Sequence, residues 1–593
     1  MIKKSILSIL FIWIISLVLI LIIIIPIFSS TIQGTADGFI HKFRLVSFIR
    51  SLGEGNIRPR WLADQALGGG TPTFIYNFSV PYYAVAAINI FVHSIQNSSQ
   101  IYKAILVIIT FISMFLLIDK LYGKKTALIT SFAYICAPYF LYSLYTYEAW
   151  GEMTSFLFPP LILYQVIILN RLLNNKKKSL NKNVILLRIF LFIATWILFI
   201  NTHNPSVLES VFPIFILIVC LTNKSIKNLL IISYLIFSSF IISSFFWLPA
   251  LLLIKWIKYG ELILYEVNMR IHQYKDLGNF FSVSFNTLRA GKTNYIDFTP
   301  GILILLTVIS SLIFFITFFI QKLICFYQKN HQFKYQNKNN VNQIFFAFML
   351  LLITVICLFL TTKLTASLWD LGILNLILYP YRFLFVATFT GTILFAWLIR
   401  KVDSLWFLII LFITIIIFAR PYTNPDLDHF NFGNHYFEDT AQPVQFGLWT
   451  YKNMGTGEFL PIWVDYNFVQ NQHDIFSQTL TLPKKIELDN KYGTIVNQKI
   501  LSERMFFHLS MKESADININ TFYYPNWKAI VNNISTPVNK DSSGRILIRV
   551  PKGDVYLSLI FDYSMPERFG FLLSLLGVIQ LVFFLRALKK YIL

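Results

Sequence analysis

The sequence predicts a polytopic α-helical membrane protein, with about 12 spans, interfacial helices between them and a β-rich domain outside the membrane. Three observations predict it. Apolar residues make up 56% of the 593-residue chain and charged residues 13%, with a mean hydropathy of +0.62, outside the range of water-soluble domains. Apolar runs long enough to cross a bilayer recur along most of the chain. One late stretch breaks that rhythm with short strand-like segments between Asn, Asp, Gly and Pro clusters.

The apolar runs lie near 5–28, 101–119, 126–146, 154–172, 184–202, 207–222, 229–254, 301–321, 344–362, 380–399, 404–420 and 568–587. The first follows Met1-Ile-Lys-Lys. It is too long for a signal-peptide core and no small-residue cleavage site follows, so it reads as an uncleaved anchor. With those lysines on the cytoplasmic side, the alternation puts 119–125, 171–183, 223–228, 322–343, 400–403 and the C-terminal RALKKYIL inside. Every one is basic, as orientation by Lys/Arg requires. Ser79 to Ser94 is apolar but short and opens near Pro81, which predicts an interfacial helix that does not cross.

The same alternation faces the 30–100 loop, the turns 147–153 and 203–206, the loop 255–300 and the segment 363–379 outward. Residues 421–566 form the polar region, where ILIRV (546–550) and VYLSLIF (555–561) read as strands of a β-rich extracytoplasmic domain. Three domains are expected: a membrane domain 1–420, the β-rich domain 421–566, and a final span with its basic tail, 567–593. The expected location is a cytoplasmic membrane, with the β-rich domain on its outer side.

The net charge of +21 does not signal nucleic acid. Between Pro421 and Pro566 there are 12 Lys/Arg against 15 Asp/Glu, so the basic excess lies among the spans. Cys136, Cys220, Cys325 and Cys357 are too few and too scattered for a disulfide framework or a metal cluster. Hydrolase-elbow, zinc-protease and dinucleotide motifs are missing from the sequence, leaving those enzyme classes without a foothold.

Ionisable groups at span ends are costly to place and carry functional weight. Asp37 stands just past the first span, suited to act as general base or to hold a divalent cation, Mg or Mn, beside a phosphate. Taken alone it also reads as a helix cap. His41, Arg44 and Arg50 follow at helical spacing, then Arg58-Pro59-Arg60-Trp61 and Gly68-Gly69-Gly70. Guanidinium groups there suit a lipid-linked phosphate. Glu148 and Glu152, at i,i+4 in a short turn, form a second acidic site. His203 and Arg382 complete the outward-facing set.

Asp37-Gly38-x-x-His41-x-x-Arg44, Pro59-Arg60-Trp61, Gly68-Gly-Gly, Phe74-x-Tyr76 and Pro81-Tyr-Tyr, taken in order, resemble bacterial YfhO-like membrane proteins. The resemblance extends to the set labelled 6-pyruvoyl-tetrahydropterin synthase-related. Thr202-His203-Asn204-Pro205, Phe246-Trp247-Leu248-Pro249, Tyr379-Pro380-Tyr381-Arg382-Phe383 and Tyr524-Pro525-x-Trp527-Lys528 agree with it. Such proteins resemble C-type (GT-C) membrane glycosyltransferases. The resemblance implies transfer of a sugar, with inversion, from a polyprenyl-phosphate donor to a cell-envelope glycan or lipid-linked acceptor. It implies Asp37 and Glu152 as catalytic residues and tentative metal ligands, with His41, Arg44, Arg60, His203 and Arg382 binding substrate. Glu152 matches the family's acidic turn better than Glu148 does. The rival readings are a lipid or saccharide transporter or flippase, and a non-catalytic glycan-binding envelope protein.

Overall fold

The computed structural model describes residue 14 and residues 16–28, 32–174, 182–222, 225–261, 274, 299–327, 338–369, 372–423, 429–430, 457–479 and 483–591. Most of the 255–300 loop, much of the basic loops 171–183 and 322–343, and residues 431–456 lie outside the described residues.

Among the described residues nine helices are long and apolar enough to cross a membrane. Two bent pairs each fit one span more: Lys124–Ile135 with Pro138–Tyr147 at 47°, and Ile226–Ile242 with Ser244–Trp256 at 59°. Together with Ser16–Ile27, the described part of the first run, they coincide with every expected span. The first bend has a plain cause. Ala137 is extended (ψ 133°), as a residue before proline prefers, and Pro138 restarts the helix. The helix Val80–Val92 has 13 residues. At 1.5 Å per residue it reaches only about 20 Å, short of the roughly 30 Å hydrocarbon core.

Position in the bundle follows composition. Phe383–Ile399 is apolar on every face and is the buried central helix, with Leu398 alone not fully buried. Thr390 joins it to the helix Lys338–Leu360 through a 2.8 Å hydroxyl contact with Thr354. The last helix, Met565–Tyr591, is peripheral and turns Phe569, Leu575, Leu576 and Phe583 outward, a surface suited to lipid.

A two-stranded ribbon joins β1 (Ile32–Gln33) to β2 (His429–Phe430), antiparallel, tying the end of the first span to the chain beyond the Leu405–Thr423 helix. The remaining strands are β3 (Ile486–Glu487), β4 (Gly493–Ile500), β5 (Arg504–Met511), β6 (Ala515–Phe522), β7 (Trp527–Val531), β8 (Ile534–Thr536), β9 (Asn539–Lys540), β10 (Arg545–Val550) and β11 (Gly553–Phe561). They form antiparallel sheets of order β3-β6-β10-β9 and β4-β5-β11-β7-β8. Both send alternate residues into one core: Met505, Phe507 and Leu509 face Ile517, Ile519, Ile546 and Ile548. The expected strands at 546–550 and 555–561 are β10 and most of β11.

The first loop docks this sandwich onto the bundle. Trp61 is buried against Tyr524, Trp527 and Phe561. Phe522 N–H donates to Gly69 O at 2.7 Å, and a side chain at Gly69 would strike the Phe522 ring. The Tyr76 and Tyr524 hydroxyls meet at 2.5 Å. Arg60 is the hub: it pairs with Glu503 at 2.8 Å and with Glu567, at the head of the last helix, at 3.3 Å. It also donates to Phe561 O and Asp562 O and lies 3.9 Å over the Tyr563 ring.

Candidate active site

The second acidic turn is made by an unusual backbone. A π-helical turn, Tyr142–Tyr147, ends in Glu148, whose φ of +55° puts a non-glycine residue in the left-handed region before the helix Trp150–Ser155 begins. This conformation turns Glu148 into a wholly buried pocket. Lys42 Nζ lies 2.9 Å and Lys103 Nζ 3.7 Å from its carboxylate, and Thr35 and Ser99 hydroxyls donate to it at 3.0 Å. Burial alone raises the Glu148 carboxyl, but Lys103 and Lys42 outweigh it and hold the group below the ordinary carboxylate range. Glu148 is therefore a structural anion, saturated by the protein itself.

Asp37 sits across the same turn. Its N–H donates to Tyr147 O at 2.8 Å. It occupies the cap position of the helix Gly38–Gly53, yet its side chain makes no capping hydrogen bond, so capping does not account for the carboxylate. One turn on, His41 Nδ1 is 2.7 Å from the Tyr82 hydroxyl, and its ring stacks on Trp150 at 5.3 Å. Burial, reinforced by Arg44, pushes His41 down to about 3. His41 is therefore a neutral hydrogen-bonding group, so any substrate contact it makes is a hydrogen bond and not an ion pair. Arg44 is buried on the same helix, 5.3 Å from the centre of the Phe459 ring.

Glu152 faces inward from the next turn and accepts from the Tyr139 hydroxyl. Arg382 acts on it electrostatically and donates to Ile377 O at 2.6 Å while covering Tyr379. His203 caps the helix Asn204–Leu221, its Nδ1 2.7 Å from Ser206 Oγ, and burial beside Arg382 keeps it neutral. Phe78 joins the halves of the site, its ring 6.0 Å from His41 and 5.6 Å from His203. The close fit depends on Gly151, where a Cβ would stand 2.7 Å from Phe78 and 2.8 Å from His203.

Asp37, His41, Glu152, His203 and Arg382 thus gather at one end of the bundle, beneath the sandwich. Arg60 does not join them, because its guanidinium is consumed by Glu503 and Glu567. Gly68-Gly69-Gly70 likewise meets the sandwich: Gly69 packs on Phe522, and Lys485 Nζ donates to Gly68 O at 2.7 Å. One residue escaped the sequence reading. Glu209, in the helix Asn204–Leu221, is 3% exposed and acts electrostatically on Glu152 and Arg382. An acid inside an apolar span was the available signal. Among the described residues no group of three or more His, Cys, Asp or Glu side chains could hold a metal ion. A Mg or Mn ion at Asp37 or Glu152 would therefore need water or donor-phosphate oxygens to complete its shell.

No family model matches the chain, and no curated protein matches it. Among solved structures it is similar to the crystal structure of the Archaeoglobus fulgidus oligosaccharyltransferase in the apo form, at 13% identity and a TM-score of 0.41. The similarity covers 80% of this chain and 60% of that one, so the chain spans less than two thirds of the archaeal protein's length.

Proposed function

We propose that the protein is a membrane glycosyltransferase of the C type. It moves a sugar from a polyprenyl-phosphate donor to a cell-envelope acceptor on the extracytoplasmic side. The observation that carries this reading is Asp37: a half-buried carboxylate not used for capping, one turn from His41 and across the turn from Tyr147. Asp37 takes the proton of the acceptor hydroxyl as its oxygen attacks the anomeric carbon. The bond from that carbon to the phosphate oxygen breaks, and polyprenyl phosphate leaves with the electron pair. A single displacement inverts the centre. Arg44 and Arg382 hold the phosphate, while neutral His41 and His203 supply hydrogen bonds.

Removing a positioned general base lowers turnover by about 10²–10⁴-fold. Asp37→Asn should therefore abolish transfer from radiolabelled undecaprenyl-phosphate sugars in membranes, with the protein folded and at wild-type abundance. Wild-type turnover in Asp37→Asn would falsify the assignment. The two bent spans favour a second reading, a lipid or saccharide transporter. The same assay separates the two, because a transporter moves the lipid without consuming it.

A further inference from the structure

Glu209 is the group in the site that protein contacts leave least explained. It lies in the second turn of the helix Asn204–Leu221, is 3% exposed, and neither Oε1 nor Oε2 has a hydrogen-bond partner in normal geometry among the described residues. Leaving such a group buried and unmatched costs at least about 1–3 kcal/mol, and more when it is charged. A chain that keeps it there keeps it for something that binds.

What surrounds it narrows the occupant. Arg382 is near enough to act electrostatically on both Glu209 and Glu152. Glu152 already accepts from Tyr139, and Arg382 already donates to a backbone carbonyl. The Ser206 hydroxyl comes near Glu209 and is itself tied to His203. As an ionised carboxylate Glu209 needs donors, which a fully ionised phosphate does not supply. Vicinal hydroxyl groups do, since each offers an O–H to one carboxylate oxygen.

We propose that Glu209 holds the sugar: its carboxylate accepts hydrogen bonds from ring hydroxyls of the donor's sugar, while the arginines hold the phosphate. The inference rests on the glycosyltransferase reading and adds the group that tells a sugar-bearing lipid from the bare one. Binding of undecaprenyl phosphate and undecaprenyl-phosphoglucose to the purified full chain tests it, by native mass spectrometry or thermophoresis. The wild type should prefer the sugar-bearing lipid about tenfold or more, equivalent to roughly 1.4 kcal/mol. Glu209→Ala should erase that preference with bare-lipid affinity unchanged, and the isosteric Glu209→Gln should weaken it. A preference that survives in Glu209→Ala overturns the proposal. So does an equal loss of both affinities, which would make Glu209 a counter-ion for Arg382. A wild type that binds both lipids alike overturns the glycosyltransferase reading itself.

Discussion

Glu148 and Glu152 stand four residues apart in one turn, and their surroundings are opposite. Glu148 has two lysines and two hydroxyls on its oxygens. Glu152 has one tyrosine, and Arg382 acts electrostatically on it and on a second acid, Glu209. Two acids of similar depth thus sit in different company: Glu148 is fully compensated by the protein, whereas Glu152 neighbours Glu209, whose oxygens have no hydrogen-bond partner among the described residues.

The comparison can be broken by exchanging the outcomes of substitution. Glu148→Ala removes the buried carboxylate that Lys42 and Lys103 share, and breaking a buried ion pair from one side costs about 3–5 kcal/mol. It should show as loss of folded protein or a sharply lowered Tm. Glu152→Gln keeps shape and most contacts, so stability should move by no more than about 1 kcal/mol. Transfer by that variant should nonetheless fall about 10²-fold or more. An active, unstable Glu152→Gln beside a stable, inactive Glu148→Ala would reverse the assignment of the two acids.

A smaller effect probes the contact between the halves. Gly151→Ala places a methyl group 2.7–2.8 Å from Phe78 and His203. Overpacking of this kind costs about 1–3 kcal/mol. Activity should fall more than Tm does, because the rings that move line the site. A Tm loss with unaltered activity would detach Phe78 from catalysis.

A pH-dependent effect concerns the dock. Burial pushes Lys485 down to about 7, against the pull of Asp64, while the unfolded chain keeps the ordinary value of 10.5. Between those values the unfolded state binds more protons, so stability contributed by this group rises from about pH 7 to about pH 10.5 and is flat below. Lys485→Met should flatten that rise in a melting series. An unchanged slope removes Lys485 as its source.

The bundle was legible because its signals are local. Apolar runs, basic loops and the short Val80–Val92 segment each report on themselves, and alternation in ILIRV and VYLSLIF marks strands without reference to anything distant. Residues that the fold brings together at the candidate site were legible only where an ionisable group stood beside a span end, as with Asp37, Glu152, His203 and Arg382. Arg60 resembled these in sequence, but its partners at Glu503 and Glu567 are separated from it by 443 and 507 residues, beyond any local pattern. Glu209 was hidden by its apolar neighbours. The neutrality of His41 comes from packing under Trp150 and Tyr82, which no spacing reveals.

The Arg60 hub also bears on how the chain is made. Among the described residues its charge is compensated by Glu503 and Glu567, so the Arg60 end of the first loop waits for nearly the whole polypeptide before it is pinned. Synthesis proceeds from the N-terminus, and the early spans are in place long before the last one emerges. A chain interrupted before Glu567 therefore lacks one of the two carboxylates that hold Arg60, although Asp37 and His41 already have their contacts with Tyr147 and Tyr82.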